Sequence, residues 1–89
     1  MVLEKDEFAV AADMLTQAAV TGSVGPQQAK AICSRLGILD ADQPTIIRRL
    51  FELFEHDGYL KRTTDGYVFV SNLLRDWWRG RFEQFFERV

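Results

Sequence analysis

The side chains that could do chemistry in this sequence are few. There is one histidine, His56, and one cysteine, Cys33. A zinc site would have to rely on carboxylates, because no His-x-x-x-His spacing and no Cys-x-x-Cys pair is present. His56 could serve as a general base, but no partner is indicated. The plainer reading places it at a helix end, where its charge complements the dipole. Cys33 falls on an apolar helical face and reads as a small core residue. Asp76 and Glu83 share a helix face, but that face is the polar one and reads as solvated surface. No catalytic, metal-binding or cofactor-binding residue is assigned, and no small-molecule substrate is implied. Enzyme is the least expected class.

The bulk properties narrow the remaining classes. The 89 residues suit one domain. Eleven basic and thirteen acidic side chains leave a net charge of −2, which excludes a strongly basic nucleic-acid module but not a local basic patch. A single cysteine excludes an internal disulfide framework. No apolar run approaches the roughly 20 residues of a membrane span, and no signal peptide opens the chain. The expectation is a cytoplasmic domain with no membrane partner.

Periodicity supplies the elements. Phe8, Ala11, Ala12, Leu15, Ala18 and Ala19 form an apolar face and predict a first helix over 5–19. Thr21 to Gly25 break it. Pro26 opens a second helix with Ala29, Ile32, Cys33 and Leu36 on one face, closed by Gly37. Asp40 or Asp42 caps a third, with Pro44 in its first turn and a stripe of Ile46, Ile47, Leu50, Phe51, Leu53 and Phe54. Gly58 ends it. Tyr59–Thr63 and Tyr67–Val70 are strand formers around Thr64-Asp65-Gly66, a strong hairpin signal. Tyr59, Leu60, Val68 and Val70 are the candidates for its packed face. Ser71 or Asn72 caps a last helix from Leu73 to about Arg88, with Leu74, Trp78, Phe82, Phe85 and Val89 in one arc.

Three helices, a hairpin and a further helix predict a mainly α fold with a β-hairpin: a winged helix-turn-helix with a three-helix core, a two-stranded wing and an extra C-terminal helix. A small irregular bundle with an incidental hairpin is the runner-up.

One stretch carries a family likeness. It runs Leu53-Phe54-Glu55-His56-Asp57-Gly58-Tyr59-Leu60, then Asp65-Gly66-Tyr67-Val68-Phe69, then Ser71-Asn72-Leu73-Leu74-Arg75-Asp76-Trp77-Trp78-Arg79. It resembles the winged-helix accessory domain that follows the nucleotide-binding core in prokaryotic P-loop ATPases of the AAA/STAND type. The match covers roughly the last two fifths of the chain in detail, and the rest by element order. No G-x-x-x-x-G-K-[ST] loop is present. The resemblance therefore implies a fragment, or a stand-alone copy, of a non-catalytic accessory module that does not bind ATP itself.

Two binding surfaces compete. A DNA-binding winged helix would use the third helix and wing, here Gln43, Thr45, Arg48, Arg49, Lys61 and Arg62. Over 43–64 the balance is only four basic against three acidic residues, weak for a surface that must neutralise phosphates. The last helix is the odder feature. Trp77, Trp78, Phe82, Phe85 and Phe86 are five of the chain's eleven aromatics. Trp77 and Phe86 diverge by about 180° around the axis, so one core cannot bury both. Trp77, Phe82, Phe85, Phe86 and Arg81 are thus the candidate protein interface. Its partner would be a missing ATPase core or a second copy of the chain, as in a homodimer. The plainer alternative is that this helix runs down a groove between the first helix and the hairpin.

Overall fold

In a computed structural model the structure describes residues 5–85, with side chains over 7–84. The elements are α1 (Lys5–Thr21), α2 (Pro26–Arg35), α3 (Gln43–His56), β1 (Leu60–Thr63), β2 (Gly66–Phe69) and α4 (Asn72–Phe82), followed by a 3-10 turn over Glu83–Phe85. This is a mainly helical fold with an antiparallel two-stranded hairpin, in the order of a winged helix. Val24, between α1 and α2, adds an isolated antiparallel bridge to β2. Its N–H donates to the Tyr67 carbonyl at 2.9 Å and its carbonyl accepts from the Tyr67 N–H at 2.8 Å.

The helix ends follow from local chemistry. Pro26 opens α2, and the Gln28 side chain accepts from the Gly25 N–H at 2.9 Å. At its far end Ile38 N–H reaches Cys33 O at 2.9 Å, around Gly37. At the end of α3, Tyr59 N–H reaches Phe54 O at 2.9 Å, around Gly58. Both are Schellman closures, as the two glycines predict. Asp42 precedes α3, but its side chain caps nothing. Ser71 does cap α4, accepting from Leu74 N–H at 3.3 Å.

The hairpin differs from the expected one in two respects. Its loop is Thr64-Asp65, both at negative φ, and Gly66 alone takes a positive φ of 122° inside β2. A Cβ at Gly66 would stand 3.0 Å from Val24 O, so the bridge to Val24 requires glycine there. The packed face is also different. Leu60, Tyr67 and Phe69 are buried, whereas Tyr59 and Val70 are exposed and Val68 is half-buried. The loop pairs Leu60 with Phe69 and Lys61 with Val68, so strict alternation puts the first pair inside and the second outside.

One core joins the helices to the hairpin. From α1 it takes Val10, Ala11, Met14, Leu15, Ala18 and Ala19. Phe8, expected inside, is 67% exposed, and Val10 and Met14 occupy the stripe instead. Ala12 is half-buried, and Leu36, expected on the packed face of α2, is exposed. Ala29, Ile32 and Cys33 come from α2, and Leu50, Phe51 and Phe54 from α3. Phe51 stacks on Tyr67 with ring centroids 4.0 Å apart. α4 lies across α1, with Leu74 and Trp78 packed against this core. Its α-helical geometry stops at Phe82, short of the expected end, and tightens into the 3-10 turn.

Candidate functional interface

The six residues expected to face DNA do not form one surface. Gln43 is 1% exposed and turned inward. Its amide donates to Ile38 O at 3.0 Å and lies within 3.2–3.3 Å of Ser34 Oγ and Asp40 Oδ1, tying the turn between α2 and α3. Arg49 forms an ion pair with Glu7 that joins α3 to α1. Arg62 donates to the Tyr67 hydroxyl at 3.2 Å and pairs with Glu55 at 3.5 Å. The Tyr67 contact, and then the charge of Glu55, raise the pKa of that guanidinium further. Lys61 is exposed on the opposite hairpin face from Arg62, as neighbours in a strand must be. Thr45 and Arg48 alone remain on the open face of α3 without an ion-pair partner among the described residues.

The candidate interface on α4 is also divided. Trp78 is half-buried, its indole N–H bonded to Thr16 Oγ1 at 2.9 Å. Phe82, expected as a contact residue, is half-buried against Trp78 with centroids 4.5 Å apart. Trp77 is 55% exposed, and the Arg81 guanidinium lies 5.6 Å from its ring centroid. The side chains of Phe85, Phe86 and Val89, named from the sequence, lie outside the described residues.

The clearest concave feature is one the sequence reading missed. α1 and α3 do not close over each other along their whole length. Between them lies an apolar groove of about 270 Å³. Phe8, Ala12 and Leu15 form one wall, Leu53 and Tyr59 the other, and Trp78 lies along it. Its lining is almost wholly carbon. Phe8 was legible as an apolar residue of α1, but its position on the rim was not. A larger, open concavity of about 750 Å³ lies between the start of α2 and the hairpin tip. It sets Arg62 beside Asp65, a mixed lining with no matched chemistry.

The remaining reactive groups are dispersed. Cys33 is fully buried, and burial pushes its thiol pKa up. His56 stands exposed in the last turn of α3. Glu83 pairs with Arg79 at 2.6 Å, and Asp76 is exposed. Among the described residues no group of His, Cys, Asp and Glu converges as metal ligands would, and no helix is long and apolar enough to cross a membrane.

No family model matches this chain, and neither a curated protein nor a solved structure does.

Proposed function

We propose that this chain is a non-catalytic winged-helix interaction module that docks a partner protein in the apolar groove between α1 and α3. The observation that carries this reading is the rim. Phe8 is a large aromatic, 67% exposed, beside a groove whose other walls are Leu53, Tyr59 and Trp78. Aromatic side chains left open around a concave apolar site are the usual anchors of a protein contact. Trp77, next to Trp78 in α4, is a further exposed aromatic. The likeness of 53–79 to the accessory domain of P-loop ATPases fits this role, with a nucleotide-binding core as the partner.

The DNA alternative has less support. Of its six residues, Gln43 is buried, and Arg49 and Arg62 are engaged by acids of the chain itself. Selection of a displayed random-peptide library on the folded domain tests the docking reading. The enriched peptides should share an apolar anchor and should lose binding to Ala12→Glu, which places a charge in the groove at a half-buried position. Enriched peptides that bind Ala12→Glu as tightly as the native chain would refute it.

A further inference from the structure

A second, charged concavity is linked to the apolar groove through the backbone of Tyr59 and Val70. Tyr59, in the groove wall, accepts a hydrogen bond from the Val70 N–H at 3.1 Å. This extends the pairing of Leu60 with Phe69 by one rung, two positions from Lys61 and Val68. Tyr59, Lys61, Val68 and Val70 therefore share the hairpin face opposite to the buried Leu60, Tyr67 and Phe69. On that face Lys61, Val70, Asn72, Arg75 and the backbone at Gly22 enclose a space of about 410 Å³.

The charge there is of one sign. Lys61 and Arg75 line it, and no acidic residue does. Among the described residues neither cation has a carboxylate partner, whereas Arg35, Arg49, Arg62 and Arg79 all do. In a chain of net charge −2, two cations left unneutralised in one concavity call for an anion from outside. Arg75 is also held in place. Its Nε donates to Ala19 O at 2.9 Å, at the end of α1, which leaves the two terminal nitrogens for a ligand. A planar guanidinium fixed in this way suits a carboxylate or a phosphate.

We propose that groove and concavity form one recognition surface for an apolar–anionic segment of a partner protein. The apolar side chain enters the groove, and a carboxylate or phosphorylated side chain reaches Lys61 and Arg75. Tyr59 and Lys61 are two residues apart along one strand, or about 7 Å. The anchor and the anion should then be about two to four residues apart in an extended segment. This inference rests on the docking reading and supplies the chemistry of the partner.

The test uses short fluorescein-labelled peptides with one central Trp. A run of Glu, Gln or Lys, or a phosphoserine, is placed two to four positions to either side. Anisotropy titrations at low salt should rank the Glu and phosphoserine peptides about fivefold or more above the Gln peptides, with Lys weakest. The larger gain among the first two identifies the anion. Lys61→Glu, at an exposed site, should keep the native melting temperature and reverse the ranking, while Arg75→Lys should retain part of it. Ala12→Glu should weaken every peptide. Equal affinity for Glu, Gln and Lys peptides would overturn the anionic part and leave docking intact. Indifference to Ala12→Glu would overturn docking itself. No binding by any peptide would exclude a short segment as the occupant. Preference for duplex DNA over the acidic peptides, lost in Lys61→Glu, would reassign the concavity to nucleic-acid phosphate.

Discussion

The indole N–H of Trp78 donates to Thr16 Oγ1 at 2.9 Å, and that hydroxyl donates in turn to Ala12 O at 2.8 Å. This chain of two bonds, 62 residues apart in sequence at its first step, fixes the position of α4 on α1. It also sets one wall of the groove. Thr16→Val would leave the indole donor without its partner and should cost about 1–2 kcal/mol. Trp78→Ala should cost about 3 kcal/mol, because the lost ring also packs on the core. Phe82→Ala should cost less than Trp78→Ala, since Phe82 touches mainly Trp78 at the edge. Urea denaturation of the three variants checks this order, and a native midpoint for Trp78→Ala would show that α4 is not anchored there.

Two glycines should respond in opposite directions to alanine. Gly66 has φ 122° and no room beside Val24 O, so Gly66→Ala should destabilise by about 2–3 kcal/mol. Gly80 lies within α4, and a Cβ there would meet nothing within 4 Å. Gly80→Ala should stabilise by about 0.5–1 kcal/mol through helix propensity. Thermal melts of the pair distinguish a required glycine from a tolerated one. Equal shifts of the same sign would be inconsistent with the Val24 bridge.

Cys33 predicts an alkaline loss of stability. Burial raises the thiol pKa in the folded chain, so the unfolded chain gives up its proton at a lower pH. The folded state then binds more protons, and stability falls as pH rises past about 8.5, the ordinary thiol value. Below that pH both states hold the proton and Cys33 contributes no slope. Cys33→Ala should flatten the decline between about pH 8 and 10 relative to the native chain. Parallel stability curves for the two would indicate that the thiol ionises without opening the core.

Nucleic-acid binding should be weak. With Gln43 buried and Arg49 and Arg62 paired, Arg48 and Lys61 remain, on different faces. Too few phosphates could be neutralised for strong association. Anisotropy of a labelled mixed-sequence duplex at about 50 mM salt should give a Kd no tighter than about 100 μM, unchanged by Arg48→Ala. Micromolar binding that collapses at about 200 mM salt would restore the DNA reading.

Much of the architecture was written in local signals. Pro26, Gly37, Gly58 and Ser71 mark ends that the structure places within a residue or two, because caps and turns depend on neighbours in the chain. Faces were harder to read. Phe8 falls on the same stripe as Leu15, yet which part of that stripe α3 covers is a tertiary fact. The hairpin face was misread because Tyr59, Val68 and Val70 are as apolar as Leu60, Tyr67 and Phe69, and which of the two faces meets the helices is a tertiary fact. Gln43 looked like a surface donor because a polar residue at a helix start is usually exposed. Its burial is made tolerable by three acceptors, one at the end of α2 and two in the turn that follows it. The groove itself has no sequence signature. It is the space left where two apolar stripes diverge.

The most direct measurement is amide and indole shift mapping by NMR, with a display-selected peptide titrated into labelled protein. The docking account predicts that the largest changes cluster at Ala11, Ala12, Leu53, Tyr59 and the Trp78 indole N–H. Changes clustered instead at Thr45, Arg48 and Arg49, with the groove signals unmoved, would contradict it.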